Sequence, residues 1–594
     1  YLFLQEIIDS KTKNMKKNFV KSRWLFTMLL FVTTMIMPTM MLAKESITPT
    51  RPKGNGRAEP YLISNAAELY WFAGLVNGTL KNVVQDASAN AILTKDIIVN
   101  KGVLDEYKNL VFEKDFIPWT PIGTYEDLYS GIFNGQGHTI SGLYFNDSGA
   151  SNVGLFGRIY KGKILNVGVL DSYFQFGTKG GGVCGENYEG ILQNCSNSST
   201  VIGKNDYCDA GGVCGDNNGT VRDCKNTGSV SGENTVGGVC GYSPGTIESC
   251  YNTGSVHGTG EFVGGVCGSS LGTIESCYNT GSVRGTGEFV GGVCGSSHIV
   301  TNYCYYLSET ATRGIGNRDD KKDKAEEMSE EQFASGEVAY LLAEAEALGE
   351  QVWGQQLGKD RYPVLYSDYK VIKAAKGDKD ENGNEDTYWA TFSNQTNDAT
   401  LSVPSESGRT LNVYNATVSG GKMTLTQRSD DQVAKGEGVL LKTNGEYVNA
   451  KANEKDGLLK VSYKENHLVA TPAVARPVTA NGYILYRLTY KNEYKDNLGF
   501  YLGSSDGKSL KAIPGKAYLK VSKKEATAPS SAALTRSFVF GGGSETTGID
   551  EITIMGTDVQ RHGTIEGIFD LQGRKISNPT KGIYIKNNKK VIIK

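Results

Sequence analysis

Apolar positions along this chain follow four different rhythms. Trp24 to Leu42 is a mostly apolar run of 19 residues, preceded by Lys16, Lys17, Lys21 and Arg23 and followed by Ala43 and Lys44. A basic flank, an apolar stretch and a small residue at its end predict a cleaved secretory signal peptide opening at Met15. The run is long enough to span a bilayer, but Pro38 and the Ala43–Lys44 junction favour cleavage over an anchor. From about residue 60 to 310, short alternating clusters are cut by Gly and Asn-Thr-Gly, which predicts short strands and turns. A third rhythm opens at Ser329-Glu-Glu-Gln332, a capping-box pattern. Val338, Leu341, Leu342, Ala345 and Leu348 follow it at helical spacing. They predict a short amphipathic helix that closes the end of the preceding unit, together with Trp353 and Tyr362–Leu365. From Thr387 to Ser522 strands such as Leu411–Tyr414, Met423–Thr426 and Tyr483–Leu488 recur between turn signals. They predict an antiparallel β-sandwich.

The middle region repeats itself. Gly237-Gly-Val-Cys-Gly241 recurs at 181–185, 211–215, 264–268 and 291–295. The leading cysteines stand at 184, 214, 240, 267 and 294, and second cysteines follow at 195, 224, 250, 277 and 304. The spacings of the first set are 30, 26, 27 and 27 residues. Units this short cannot bury a core alone, so they must stack. Stacking at the ~4.8 Å strand separation places equivalent residues in columns, with Val221, Ile247 and Ile274 in one and Val239, Val266 and Val293 in another. The fold class expected is mainly β: a right-handed parallel β-solenoid, then the sandwich, then a small C-terminal β domain. Glycine is expected at the corners, where φ is often positive. The parity of the second cysteine stays open: if Ile274 and Ser276 face in, Cys277 faces out unless the strand bends.

Residues 181–304 resemble the GLUG-motif repeats of bacterial surface proteins. Trp119–Gly123, Gly131–Leu143 and Val153–Gly157 look like opening coils of the same solenoid. The chain departs from that pattern by placing Cys at the Val position of all five units. The resemblance implies architecture, and an exported protein of a Bacteroides-like bacterium. Some proteins with such repeats are zinc peptidases of the immunoglobulin A1 protease type, which need a His-Glu-x-x-His helix. None of His138, His257, His298, His467 or His562 stands in one.

Composition narrows the rest. The chain has 594 residues and 74 glycines, of which 29 fall in 180–296, without the every-third spacing of collagen. Removing residues 1–43 leaves 56 basic and 62 acidic residues, a net charge of −6. An acidic exported chain does not fit nucleic acid or an anionic membrane as partner. The eleven cysteines fit stacked free thiols packed as small hydrophobes better than disulfides, because in-register neighbours on parallel strands are poorly placed for the S–S dihedral. Their ten-residue spacing is not a zinc pattern. No cofactor motif is present. Asp378, Asp380 and Asn382, with Gly383 sixth in the series, match the first half of a calcium loop. The twelfth position is Trp389 rather than Glu, so a solvated turn is preferred. Stacked Glu248 and Glu275 read as a surface ladder. Tyr242, Tyr251 and Tyr278 sit on turns, either as rings for sugars or as packing residues.

The C-terminus ends in Gly567–Ile576 and Gly582–Lys594, alternating strands joined by tight turns at Asp570-Leu-Gln-Gly and Lys586-Asn-Asn-Lys589. This segment resembles the C-terminal sorting domain of cargo for the type IX secretion system of Bacteroidota. The expected organisation is a pre-sequence and signal peptide (1–43), a linker (44–58), the solenoid (59–315), a charged break with capping helix (316–370), and an acidic linker (371–386). The sandwich (387–523), a flexible linker (524–548) and the sorting-like domain (549–594) complete it. The expected function is a secreted or cell-surface, non-enzymatic protein that adheres to glycans or to host or bacterial surface components. It would meet secretion machinery through its C-terminus and carry no transmembrane span once processed. The competing reading is a β-helix carbohydrate-active enzyme, distinguished by carboxylates converging on one solenoid face.

Overall fold

The computed structural model describes residues 46–112, 115–317, 325–345, 352–377, 386–405, 408–453, 466–490 and 498–527, with strands 537–539, 568–569, 575–576, 582–586 and 589–593 beyond them. The signal-peptide segment and the calcium candidates Asp378, Asp380 and Asn382 lie outside these residues.

Repetition in the sequence becomes translation in space. One coil runs Cys240–Ser243, Thr246–Glu248, Tyr251–Asn252, Val256–Gly258 and Phe262–Gly264, and the chain then re-enters the first side at Cys267. Each strand pairs in parallel with its equivalent one coil away, which builds a four-sided β-solenoid. One side is a path of nine strands from Tyr61–Ile63 to Cys294–Ser297. The leading cysteines 184, 214, 240, 267 and 294 are in register in one column. Val239, Val266, Val293, Ile247 and Ile274 are fully buried, so the predicted columns form the core. Each such side chain contributes about 1.5–3 kcal/mol by leaving water.

The parity question resolves through a left-handed corner. Asn166, Asn194, Asp223, Ser249, Ser276 and Tyr303 all have φ between 50° and 55° and form a column of their own. Ser276 turns the chain so that Ile274 and Cys277 both point inward. The corner expectation for glycine is therefore corrected: among the described glycines from 143 to 335, none has positive φ. These glycines serve close approach instead. A Cβ on Gly237 or Gly264 would lie 1.8 or 1.9 Å from the carbonyl oxygen of Cys240 or Cys267.

All eleven cysteines are buried free thiols. The backbone N–H groups of Cys195, Cys224 and Cys250 donate to the sulfur one coil on, at 3.3–3.4 Å. Burial pushes the Cys240 thiol well above the usual range. The asparagines of the Asn-Thr-Gly turns are buried as well. Asn197 Nδ2 donates to Asn226 Oδ1, Asn226 to Asn252 and Asn252 to Asn279, each at 2.8 Å. Each Oδ1 also accepts the backbone N–H two residues on. An unpaired buried amide is costly, and this ladder satisfies both ends of every one.

Two helical elements flank the stack. Ala66–Val76, unforeseen in the sequence, is capped by Asn65 and buries Leu69, Phe72, Leu75 and Val76 against the first coils. Downstream, Ser329 and Gln332 form the expected capping box. Gly336, left-handed at φ 94°, splits the predicted helix into Glu330–Ser335 and Glu337–Ala345. These helices do not simply cover the last coil. They lie against the side of the solenoid, with Phe333, Val338, Leu342 and Trp353 packed on Tyr251, Tyr278 and Tyr305.

The C-terminal region is antiparallel and deeper than a two-layer sandwich. Its central sheet, Ala375–Lys376, Tyr388–Ser393, Gly438–Thr443, Leu411–Ser419 and Lys422–Gln427, is buried on both faces. Phe392, Val439 and Leu441 pack on one side with Leu401 and Val448. Trp389 and Leu440 pack on the other with Tyr486, Phe500 and Leu519. Strand Tyr369–Lys373, which straddles the expected boundary at 370 between capping segment and acidic linker, pairs with Tyr447–Ala452 and belongs to the outer sheet. Ser537–Val539, expected within the linker, pairs with Gly499–Leu502. The last described strands form an antiparallel four-stranded sheet, with Lys586 opposite Lys589 at the anticipated turn.

Candidate functional site

Strands Phe156–Tyr160, Cys184–Gln193 and Cys214–Arg222 lie side by side on one face of the solenoid. The last two are ten and nine residues long, against four for Cys240–Ser243. Residues two apart share a face. Arg158, Glu186, Asp216 and Tyr242 therefore form one outward column, and Tyr160, Tyr188 and Asn218 a second beside it. Around the corner, Lys179 stands opposite Asp209 on the next coil.

These side chains form a network. Arg158 Nε lies 2.9 Å from Glu186 Oε2. Lys179 Nζ lies 3.3 Å from Glu186 Oε1 and 2.6 Å from Asp216 Oδ2. Glu186 and Asp216 are only 8% and 9% exposed, so their pairing with cations is required rather than decorative. Burial works against the Lys179 ammonium, but its bonds to Asp216 and Glu186 outweigh that and hold its pKa above the usual range. The Asp209 carboxyl is pushed up to about 7, first by burial and then by the charge of Asp216. Burial, followed by the charges of Asp216 and Asp209, also raises the Tyr242 hydroxyl.

Aromatic rings border the network. The Tyr160 and Tyr188 rings are 5.8 Å apart. The Arg158 guanidinium sits 4.7 Å over Tyr125 and 6.0 Å from Tyr188, within cation–π range. Lys161 Nζ lies 4.8 Å over Tyr160 and 3.4 Å from Glu189. Tyr125 is 72% and Tyr188 36% exposed. Flat rings beside ionic hydrogen-bonding groups, mounted on strands, make a preformed surface for a ligand with both an apolar face and hydroxyls.

Of the tyrosines singled out in the sequence, Tyr242 joins this network. Tyr251 and Tyr278 do not: of the two readings open for them, they take that of packing residues. They stack 5.0 Å apart, almost parallel, beneath Trp353, and the Tyr278 hydroxyl donates to the Pro363 carbonyl at 2.7 Å. Glu248 and Glu275 are in register as a ladder, and burial with the charges of Asp223 and Glu275 raises the Glu248 carboxyl. His138 lies 3.4 Å from Asp96, away from the network's carboxylates. Among the described residues no group of three or more His, Cys, Asp or Glu is placed to hold a metal ion, and no helix is long and apolar enough to cross a membrane. Sequence reasoning missed Tyr125, Arg158, Tyr160, Lys179, Glu186, Tyr188, Asp209 and Asp216. The one available signal was the 30-residue step from Cys184 to Cys214, longer than the 26 or 27 of later coils.

No family model matches the chain. Over 184 residues it is 30% identical to halomucin of Haloquadratum walsbyi, a match that spans 31% of this chain and 2% of halomucin. Among solved structures it is similar to a Bacteroides ovatus protein named as an immunoglobulin A1 protease. That similarity covers 53% of this chain and 94% of that one, at 20% identity and a TM-score of 0.38. A likeness of that size carries neither activity nor substrate to this chain.

Proposed function

We propose that the chain is an exported surface protein whose solenoid is a rigid display scaffold and whose network around Arg158 and Tyr188 binds glycans. The observation that carries this reading is the contrast between a core of self-satisfied columns and one outer face where the Tyr125 and Tyr188 rings stand exposed beside a half-buried ionic network. The partial likeness to halomucin and the GLUG-like repeats support a place at the cell surface. The segment 567–594 acts as a sorting domain for type IX secretion, a reading that rests on its resemblance to such domains. Deleting Gly548–Lys594 should then leave the solenoid folded and hold the protein in the periplasm. Normal amounts at the surface would refute the sorting role.

A second reading has one observation in its favour. Glu186, Asp209 and Asp216 cluster around Lys179, and burial, followed by the charge of Asp216, pushes the Asp209 carboxyl up to about 7. That pairing suits general acid–base cleavage of a glycan. A glycan array run beside a reducing-sugar release assay separates the two. Binding without release supports adhesion, whereas release abolished by Asp209→Asn supports the enzyme.

A further inference from the structure

Two outward tyrosine columns stand on this solenoid, and their surroundings differ. The column Tyr251–Tyr278–Tyr305 is covered by Phe333 and Trp353 from the same chain. The column Tyr160–Tyr188, on another side of the solenoid, is bordered instead by charged side chains, with Lys161 over the Tyr160 ring and Arg158 beside Tyr188, which stays 36% exposed. A partly exposed aromatic surface of this sort marks an interaction site.

The charges around it identify the occupant. Each of its three cations is already matched: Arg158 by Glu186, Lys161 by Glu189, and Lys179 by Asp216 and Glu186. Asp209 stands in register between Lys179 and Thr235 of the neighbouring coils. A polyanion or polycation would find no free counter-charge here and would have to break these pairs. A neutral polyhydroxylated ligand would keep them, hydrogen-bond to their rims and lay its apolar faces on the rings.

Spacing gives the direction. Tyr160 and Tyr188 come from consecutive coils, and consecutive strands are ~4.8 Å apart. That repeat is close to the length of one sugar in an extended chain, so one coil meets one sugar. Resting on the glycan-binding reading above, we infer that this face binds an extended, neutral glycan running parallel to the solenoid axis, with Tyr160 and Tyr188 as stacking platforms. The two rings are tilted 31° to each other, and Arg158, between Tyr125 and Tyr188, is the positioning residue that holds Tyr188 in place. Because strands rather than loops mount these groups, little ordering entropy is lost on binding.

The test is titration calorimetry on the full chain. The probes are neutral β-glucan, xylan and mannan oligosaccharides of graded length, with a uronate and a sulfated oligosaccharide as anionic counterparts. Affinity for a neutral series should rise with chain length and then level off, with little dependence on salt. Tyr188→Ala should weaken it about tenfold or more, and Tyr188→Phe should retain most of it. Thermal melts of each variant separate lost binding from lost folding. If no glycan binds, the adhesive reading itself fails. If a neutral glycan binds and both Tyr188→Ala and Tyr160→Ala leave its affinity unchanged, the platform is overturned while adhesion stands. Binding confined to the anionic probes and abolished by salt overturns the neutral assignment, and affinity independent of length overturns the axial one.

Discussion

The covered and open tyrosine columns make a natural pair for comparison. In the covered column Tyr278 is 1% exposed, stacked on Tyr251 and hydrogen-bonded to the connector at Pro363. The connector in turn grips the antiparallel region, where Asn449 donates to the Gln355 carbonyl and accepts from Leu357 N–H, both at 2.7 Å. Those tyrosines are a mechanical joint. The open column instead borders a carboxylate cluster in which burial, followed by the charge of Asp216, raises the Asp209 pKa, an arrangement that costs stability and is typical of sites that bind or react. The same residue type on two sides of one solenoid thus serves cohesion in one place and, in the proposed reading, recognition in the other, and what decides is whether the chain supplies its own cover.

The comparison can be broken by substitution. Tyr278→Ala should have the largest effect, about 3–5 kcal/mol lost in denaturant unfolding, because a fully buried ring and its hydrogen bond both go. A loss below ~1 kcal/mol would mean that the connector does not depend on this column. Asn252→Ala should cost about 2–3 kcal/mol by removing its bonds to Asn226 and Asn279 and leaving the buried Gly254 N–H without its acceptor, and chemical denaturation would measure it. Next comes Asp209→Asn. Burial holds the folded pKa of Asp209 above the ordinary carboxyl value of 3.8, so the native state binds more protons than the unfolded chain between 3.8 and about 7. Its contribution to stability is complete below that window and is lost as pH rises through it. The melting temperature of wild type relative to Asp209→Asn should therefore fall from pH 4 to 7 and then level off. A difference independent of pH would show that this carboxyl ionises normally. The smallest effect is expected for Tyr188→Ala, within about 1 kcal/mol of wild-type stability. A loss matching that of Tyr278→Ala would erase the distinction between the columns.

The solenoid was legible because repetition is a strong signal: Cys184 to Cys294 announced their own column, and Val239 and Ile247 theirs. The capping box at Ser329 was equally readable, being set by local chemistry. Where that helix docks was not, since Phe333 and Trp353 meet Tyr278 only through a long-range contact. Asn252 was read as a turn residue because Asn-Thr-Gly signals a turn, and nothing local says that its amide meets Asn226 and Asn279 inside the core. Ala66–Val76 escaped notice because it is apolar on nearly every side and shows no stripe. The network around Lys179 was hidden for a related reason. Arg158, Glu186 and Asp216 are 28 and 30 residues apart, and only the pairing of coils makes them neighbours.

The amide ladder from Asn197 to Asn279 also bears on how such a molecule changes length. Asn226 and Asn252 each give a hydrogen bond to one neighbour and take one from the other, and all three links of the ladder run in the same direction. A coil inserted between two others inherits both partners, and one removed leaves its neighbours matched to each other. The near-identical segments 245–256 and 272–283 are what duplication of one unit would leave behind. The distance between the N-terminal helix and the connector can thus be reset in steps of ~4.8 Å, one 27-residue unit at a time, without redesigning anything at either end.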